Sequence, residues 1–236
     1  MKKAALILSC EHAVNTVPEP YQALFHSCQE VLETHQGIDL GAETIANYLS
    51  HYFQCDLVQA NITRLLIDFN RSLNHKQCFS HLSTTLSRDK KEALIQNYYL
   101  PYRQAVEQKI AAHVLQGKLT LHLSIHSFTP VFNNQARNAD IGLLFDPQRE
   151  PERHIARRWQ QHFKQENSTL KLRLNYPYLG KSDGFTTALR KQFGAQDYAG
   201  IEVELNQKWA GDRYDWLAIA KALAQSLHFM DILCYK

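Results

Sequence analysis

Several short apolar runs in this chain stop at ionisable or hydrogen-bonding residues. Residues 4–10 run into Glu11 and His12, and residues 119–125 run into His126 and Ser127. Residues 200–205 carry Glu202 and Glu204 and end at Asn206-Gln207. Residues 62–69 carry Asp68 and lead into Asn70-Arg71. Continuous apolar runs of this length read as strands buried on both faces. Residues 141–145, ended by Asp146-Pro147, and residues 170–174 have the same character. Helical patterns alternate with them. In residues 39–53, Leu40, Ile45, Leu49 and Phe53 lie on one side. In residues 88–116, Leu94, Tyr98, Tyr102, Val106, Ile110 and Val114 recur every four positions, and Pro101 is expected to kink or split the helix. Residues 151–165 and 216–233 complete the set. Strands separated by helices predict an α/β fold: a mixed, mostly parallel central sheet flanked by helices on both faces. Such sheets bind ligands at the carboxyl ends of their strands.

Composition excludes several alternatives. Apolar residues make up 44% and charged residues 21%, which is ordinary globular usage and unlike a disordered or coiled-coil chain. The net charge of +3 is too mild to predict a nucleic-acid or membrane surface. No apolar run approaches the roughly 20 residues of a membrane-spanning helix. The apolar core near the start covers only residues 4–8, too short for a secretory segment, and Glu11 follows soon after. Cys10, Cys28, Cys55, Cys78 and Cys234 are odd in number and show no CxxC spacing. Zinc fingers and a disulfide framework are therefore disfavoured, and a reducing, cytoplasmic setting is expected. No repeat or linker divides the 236 residues, so residues 1–236 are expected to form one domain.

The strand ends carry the chemistry. His12 and His126 are candidate metal ligands, since neutral imidazole is a common zinc ligand. A carboxylate would complete the set, from Glu11 or from Asp39, which sits where a loop enters a helix. Asp39 has a plain helix N-cap as its alternative. Glu202 and Glu204 are two apart on a strand and so share a face, and mutual repulsion should raise the pKa of one. A carboxylate beside a metal-bound water is a natural general base; ion pairs to Arg64 or Arg71 are the alternative. Arg71 and neighbouring Asn70 can grip a carboxylate. Residues 175–186, aromatic and turn-rich, could form a lid or a pocket wall. Cys10 close to His12 raises thiol chemistry as a minor alternative.

Six blocks together resemble the N-formylglutamate amidohydrolase family: residues 9–18 (SCEHAVNTVP), 34–42 (THQGIDLGA), 64–72 (RLLIDFNRS), 126–130 (HSFTP), 140–144 (DIGLL) and 200–207 (GIEVELNQ). That family is itself similar to zinc carboxypeptidases and aspartoacylase-type deacylases. The resemblance implies a zinc-carboxypeptidase-like fold and a metal-dependent hydrolase of linear C–N bonds. Its cofactor would be zinc or another divalent metal. Its substrate would be a small N-acyl amino acid such as N-formyl-L-glutamate, with no nucleic-acid or membrane partner. It implies His12 and His126 as ligands, Asn70 and Arg71 as carboxylate receptor, and Glu204 as base. Arg137 or Arg64 would stabilise the oxyanion, and Arg64, Ser127 and Glu202 would also contact substrate. Where those relatives carry a Glu three residues after the first His, this chain has Asn15, so Glu11 or Asp39 is left as third ligand. The first block also departs from the Pro-His-Ser-Gly of formylglutamate deformylases. A peptide or cell-wall amide hydrolase of the same fold, or a non-catalytic carboxylate-binding relative, are the alternatives.

Overall fold

A computed structural model describes residues 4–167, 169–211, 213–228, 230 and 233. Cys234 and the first three residues lie outside them. The chain opens with β1 (Ala4–Cys10), every residue of which is buried. Two 3-10 turns lead to α1 (Ala42–Phe53) and β2 (Asp56–Gln59). Next come α2 (Arg88–Leu94), a π-helical turn (Ile95–Tyr99) and α3 (Leu100–Leu115). The expected long helix is thus divided in two. Pro101 removes an N–H and crowds the carbonyl one turn back, and the wider π turn absorbs the misfit. Then follow β3 (Leu119–Phe128), a hairpin of β4 (Val131–Phe132) and β5 (Gln135–Ala136), and β6 (Ile141–Leu144). The chain continues through α4 (Glu150–Glu166), β7 (Leu172–Leu174), α5 (Phe185–Gln192), β8 (Tyr198–Asn206) and α6 (Arg213–His228). The expected continuation of the last helix to 233 is not seen: Leu233 makes a bridge to Ala4.

Six strands form one sheet in the order β2-β1-β3-β8-β6-β7. β6 is antiparallel to β8, and every other pairing is parallel, so the sheet is mixed and mostly parallel as expected. Helices cover both faces. Leu6, Leu8, Leu121, Leu123, Ile201 and Val203 pack with α1, α4 and α6. Ile7 and Tyr198 point the other way, against α2, α3 and α5. Because β1, β3 and β8 are parallel, their carboxyl ends meet at one edge. No helix among the described residues is long and apolar enough to cross a membrane.

Residues 62–69, expected as a strand, are a run of turns. Thr63 bonds to the backbone of Thr16 and Gly37, and Leu66 turns back onto Thr63. Ile62, Leu65, Leu66, Ile67 and Phe69 are buried all the same, against the α2–α3 side. The apolar run was real but is satisfied by packing, not by a ladder. The consequence is chemical: along a strand the Cα atoms of Arg64 and Asp68 would stand about 13 Å apart, whereas the turns let the guanidinium reach the carboxylate, at 2.9 Å between N and O. The true second strand, Asp56–Gln59, is a half-buried edge with little apolar signal.

Candidate active site

Side chains alternate across a strand, and here the alternation separates two chemistries. On the α2–α3–α5 face, β3 presents His122, Ser124 and His126, while β8 presents Glu202 and Glu204. The register pairs Ser124 with Glu202 and His126 with Glu204, and Ser9 of β1 with Ser124. Gly142 of β6 lies opposite Glu204, where a Cβ would collide with the Tyr176 carbonyl.

β1 ends at Cys10, so the chain turns and places Glu11 and His12 at this edge. Asp39 arrives on the turn before α1. It does not cap the helix: the cap is Gly41, at φ +81°, where any Cβ would strike the Trp216 ring. Asp39 Oδ2 instead lies 3.1 Å from His12 Nδ1 and 3.0 Å from His126 Nδ1, with the two rings 4.9 Å apart. The Ser127 amide also donates to it, at 3.3 Å. The far nitrogens are held by other carboxylates. His12 Nε2 meets Asp68 at 2.8 Å, and His126 Nε2 meets Glu11 at 3.1 Å. Arg64 bridges Asp39 and Asp68 at 3.4 and 2.9 Å.

Glu11 therefore reaches the cluster from behind. Its carboxylate accepts from Ser9 (2.6 Å), Ser124 (2.7 Å) and Tyr102 (3.1 Å). Ser9 continues to His122 (2.7 Å), and His122 to Tyr198 (2.8 Å). Among the described residues, His12, Asp39 and His126 are the three whose ligand atoms gather within 4.8 Å and could hold a metal ion. A neutral imidazole has one N–H. If each ring donates it to the carboxylate behind, two nitrogen lone pairs and a carboxylate oxygen face one another. Such a set suits a divalent cation, with Asp68 and Glu11 in the carboxylate–histidine arrangement typical of metal centres.

Burial alone would raise the carboxyl pKa values here, but partners outweigh it. His126, His122 and Ser9 hold Glu11 well below the usual range; His12, His126 and Arg64 do so for Asp39; Arg64 and His12 do so for Asp68. In the ion-free chain His126 answers part of this charge: against burial, its hydrogen bonds to Asp39 and Glu11 raise it well above the ordinary imidazole value, so a bound cation would stand in place of its proton. Glu204 behaves oppositely. Burial, with Asp39 and Glu202 adding, pushes it up to about 8 against the pull of His126 and Arg64. Its Oε2 is buried without a hydrogen-bond partner. One of the paired glutamates is raised, as expected, but burial rather than repulsion by Glu202 is the main cause.

A cavity of about 880 Å³ opens over these groups, and Arg64, Asn70, Arg71, Ser127 and Glu202 line it. Asn70 approaches His126 at 3.4 Å and accepts the Phe185 amide at 2.6 Å. Arg71 donates to the Asp183 carbonyl at 2.6 Å. Glu202 accepts the Thr186 hydroxyl, and Ser127 accepts from Gln207. Neither glutamate makes the ion pair to Arg64 or Arg71 weighed above. Arg137 does not line the cavity; it stacks behind the wall on Phe128, Phe132 and Tyr178. Arg64 is thus the cation facing the cluster. Cys10 points into the opposite core, and burial, with Glu11 and Asp39, raises its thiol well above the ordinary value, which argues against thiol chemistry. Asn15 is remote from the cluster's bonds, donating to Glu33. Asp68, Ser9 and Ser124 stand among the polar residues at the ends of the expected strands, but the sequence assigns no role to them or to His122 and Tyr102. The apolar–polar alternation from Leu121 to His126 was the available signal for the β3 members.

A mostly parallel sheet whose carboxyl edge gathers two imidazoles, an aspartate and an orphaned glutamate oxygen defines an α/β protein of hydrolytic type. Residues 4–210 match the family model described as N-formylglutamate amidohydrolase, and the chain belongs to that family. It is accordingly a hydrolase of C–N amide bonds, in a family acting on small N-acyl amino acids. A gene product of Agrobacterium tumefaciens is similar in structure, with a TM-score of 0.80, 26% identity, and coverage of 98% of this chain and 93% of that one. The N-formylglutamate amidohydrolase of Ralstonia eutropha shares the fold, with a TM-score of 0.76, 15% identity, and coverage of 98% and 94%. No curated protein matches the chain.

Proposed function

We propose that this chain is a divalent-metal-dependent amidohydrolase, zinc being the default metal. It cleaves the acyl amide of an N-acyl amino acid such as N-formyl-L-glutamate, as one cytoplasmic hydrolytic domain. The observation that carries this reading is the convergence of His12 Nδ1, His126 Nδ1 and Asp39 Oδ2 beside the unpartnered Glu204. His12, Asp39 and His126 would hold the ion. When bound, it supplies Lewis acidity toward the acyl oxygen and acidifies water. Glu204 takes the proton of the attacking water and delivers it to the departing amine nitrogen as the C–N bond breaks. Burial raises the basicity of Glu204 in the ion-free chain, and a cation held by His12, Asp39 and His126 would draw it back down toward the range a general base needs near neutral pH. Arg64 offers positive charge to the oxygen that becomes anionic. Arg71 and Asn70 hold the carboxylate of the amino acid, fixing the amide over the cluster. Ser127 and Glu202 contact the substrate from the strand ends. The free thiols of Cys10, Cys28 and Cys78 support a reducing setting.

The test is elemental analysis of the purified chain and of His126→Ala, combined with an N-formyl-L-glutamate assay. One divalent ion per chain is expected, lost in the variant together with about a thousandfold or more of the activity. Full turnover by an ion-free variant would end this reading. A bound ion with no turnover of any acyl amino acid would favour the carboxylate-binding alternative.

A further inference from the structure

Two features remain outside the chemistry above: Arg137, and the aromatic segment that begins after β7. They meet. Phe132 on the β4–β5 hairpin, and Tyr178 and Leu179 on the loop before α5, all line the cavity, yet they are 55%, 45% and 55% exposed. Large apolar side chains left in water and clustered at a cavity mouth mark a binding surface. This cluster is built rather than loose. The Arg137 guanidinium lies 4.7 Å from the centre of Phe132, 5.0 Å from Tyr178 and 5.6 Å from Phe128. Arg137 also donates to the Tyr178 hydroxyl at 3.0 Å and to the Thr129 carbonyl at 3.3 Å. The hairpin turns through Asn133 and Asn134, both at positive φ, as a tight two-residue turn requires. Asn206, at the end of β8, ties the segment behind it to the sheet through the Ala139 carbonyl, at 2.7 Å.

Size points the same way. N-formylglutamate has about a dozen non-hydrogen atoms, whereas a cavity of about 880 Å³ lies toward the upper end of the roughly 300–1,000 Å³ that takes drug-sized ligands. Formylglutamate is also charged at both ends and has nothing to set against three apolar side chains.

We infer that Phe132 and Tyr178, pinned by Arg137, together with Leu179 beside them in the chain, form a subsite for an aryl or large alkyl group of the substrate, so that the preferred substrate is an apolar N-acyl amino acid rather than N-formylglutamate. The inference rests on the amide-hydrolase reading above but concerns a separate set of residues. The apolar group sits either on the amino-acid side chain or on the acyl group, and the two sources are separable by experiment.

The ion-loaded full chain is assayed with N-formyl-L-glutamate, N-formyl-L-phenylalanine and N-benzoyl-L-glutamate. One of the two aryl substrates should exceed N-formyl-L-glutamate in kcat/KM by about tenfold or more, the gain expected for filling an apolar pocket. The preference should fall by about the same factor in Phe132→Ala, and partly in Arg137→Gln, through KM rather than kcat. Calorimetric titration with N-benzoylglycine against N-acetylglycine reads the subsite without turnover: the benzoyl compound should bind about tenfold tighter, and Phe132→Ala should erase the difference. Equal binding of the two glycines overturns the inference, as does a wild-type preference for N-formyl-L-glutamate. Concentration-dependent dimerisation abolished by Phe132→Ala would also overturn it, by assigning these side chains to a contact between copies. If nothing in the panel is cleaved, the hydrolase reading fails while the titration still decides the subsite.

Discussion

Toward α1, α4 and α6, β3 offers Leu119, Leu121, Leu123 and Ile125; toward α2, α3 and α5, the same strand offers Thr120, His122, Ser124 and His126. All eight are buried. The first set is satisfied by apolar packing alone. The second is satisfied by hydrogen bonds, most of them to distant segments through Ser9, Glu11, Asp39 and Tyr198, with His113 nearby serving Thr120. Burial of polar groups is tolerated when each finds a hydrogen bond or an ion. On β3, therefore, one face is pure packing, while the other adds to the second apolar core a set of polar groups that depend on one another.

Substitutions on each side should separate these duties. Asp39→Asn should be the most severe: it removes the charge that both Nδ1 atoms face, and ion content and turnover should fall together, by about 10³ or some 4 kcal/mol in rate. An Asp39→Asn protein with normal ion content would break the distinction. Leu123→Ala on the apolar face should cost about 3 kcal/mol in denaturant unfolding while leaving ion content intact. Loss of the ion in that variant would mean that the faces are coupled. Glu11→Gln should weaken divalent-ion affinity about 10–100-fold, since outer carboxylates orient the histidines they touch; equilibrium dialysis measures it, and unchanged affinity would make Glu11 merely structural.

The mildest effect expected is a pH dependence on the polar face. Burial holds His122 neutral, lowering it from 6.5 to about 4. Between those values the unfolded chain binds the extra proton, so stability rises with pH across this window and is lost as pH falls through it. His122's own share of that change should be on the order of 1–2 kcal/mol from pH 7 to 5. Glu204 and His126, raised in the folded chain, act in the opposite direction, so the share is read as the difference in stability change between the ion-free chain and His122→Gln; identical pH profiles for the two would exclude His122 as a source.

The sheet was readable because strands buried on both faces, such as Ala4–Cys10, leave an unbroken apolar run. Residues 62–69 left the same signal without being a strand, since burial by turns and burial by a ladder look alike in one dimension. Asp56–Gln59 was invisible because an edge strand needs little apolar character. Of the site, His12, His126, Asp39 and Glu204 could be picked out as polar residues at strand or helix ends, and the structure brings these four together. The assignment of Glu11 stayed open because it depended on where β1 stops. Asp68 was given no role because its pairing with His12 spans 56 positions and exists only once residues 62–69 coil. The setting of Arg137 was hidden for a similar reason: that its guanidinium stacks on Phe128, Phe132 and Tyr178 follows only from how distant segments meet.

The pairing of His126 with Glu204 across one rung of the β3–β8 ladder fixes more than a distance. Sliding either strand by a single residue would exchange the oily and the ionisable sides throughout the middle of the sheet, so the core tolerates no gradual adjustment of this pair. Variation in what the molecule accepts is thereby left to exposed side chains at the rim, such as Phe132, Tyr178 and Leu179, which can change without moving the rung beneath them.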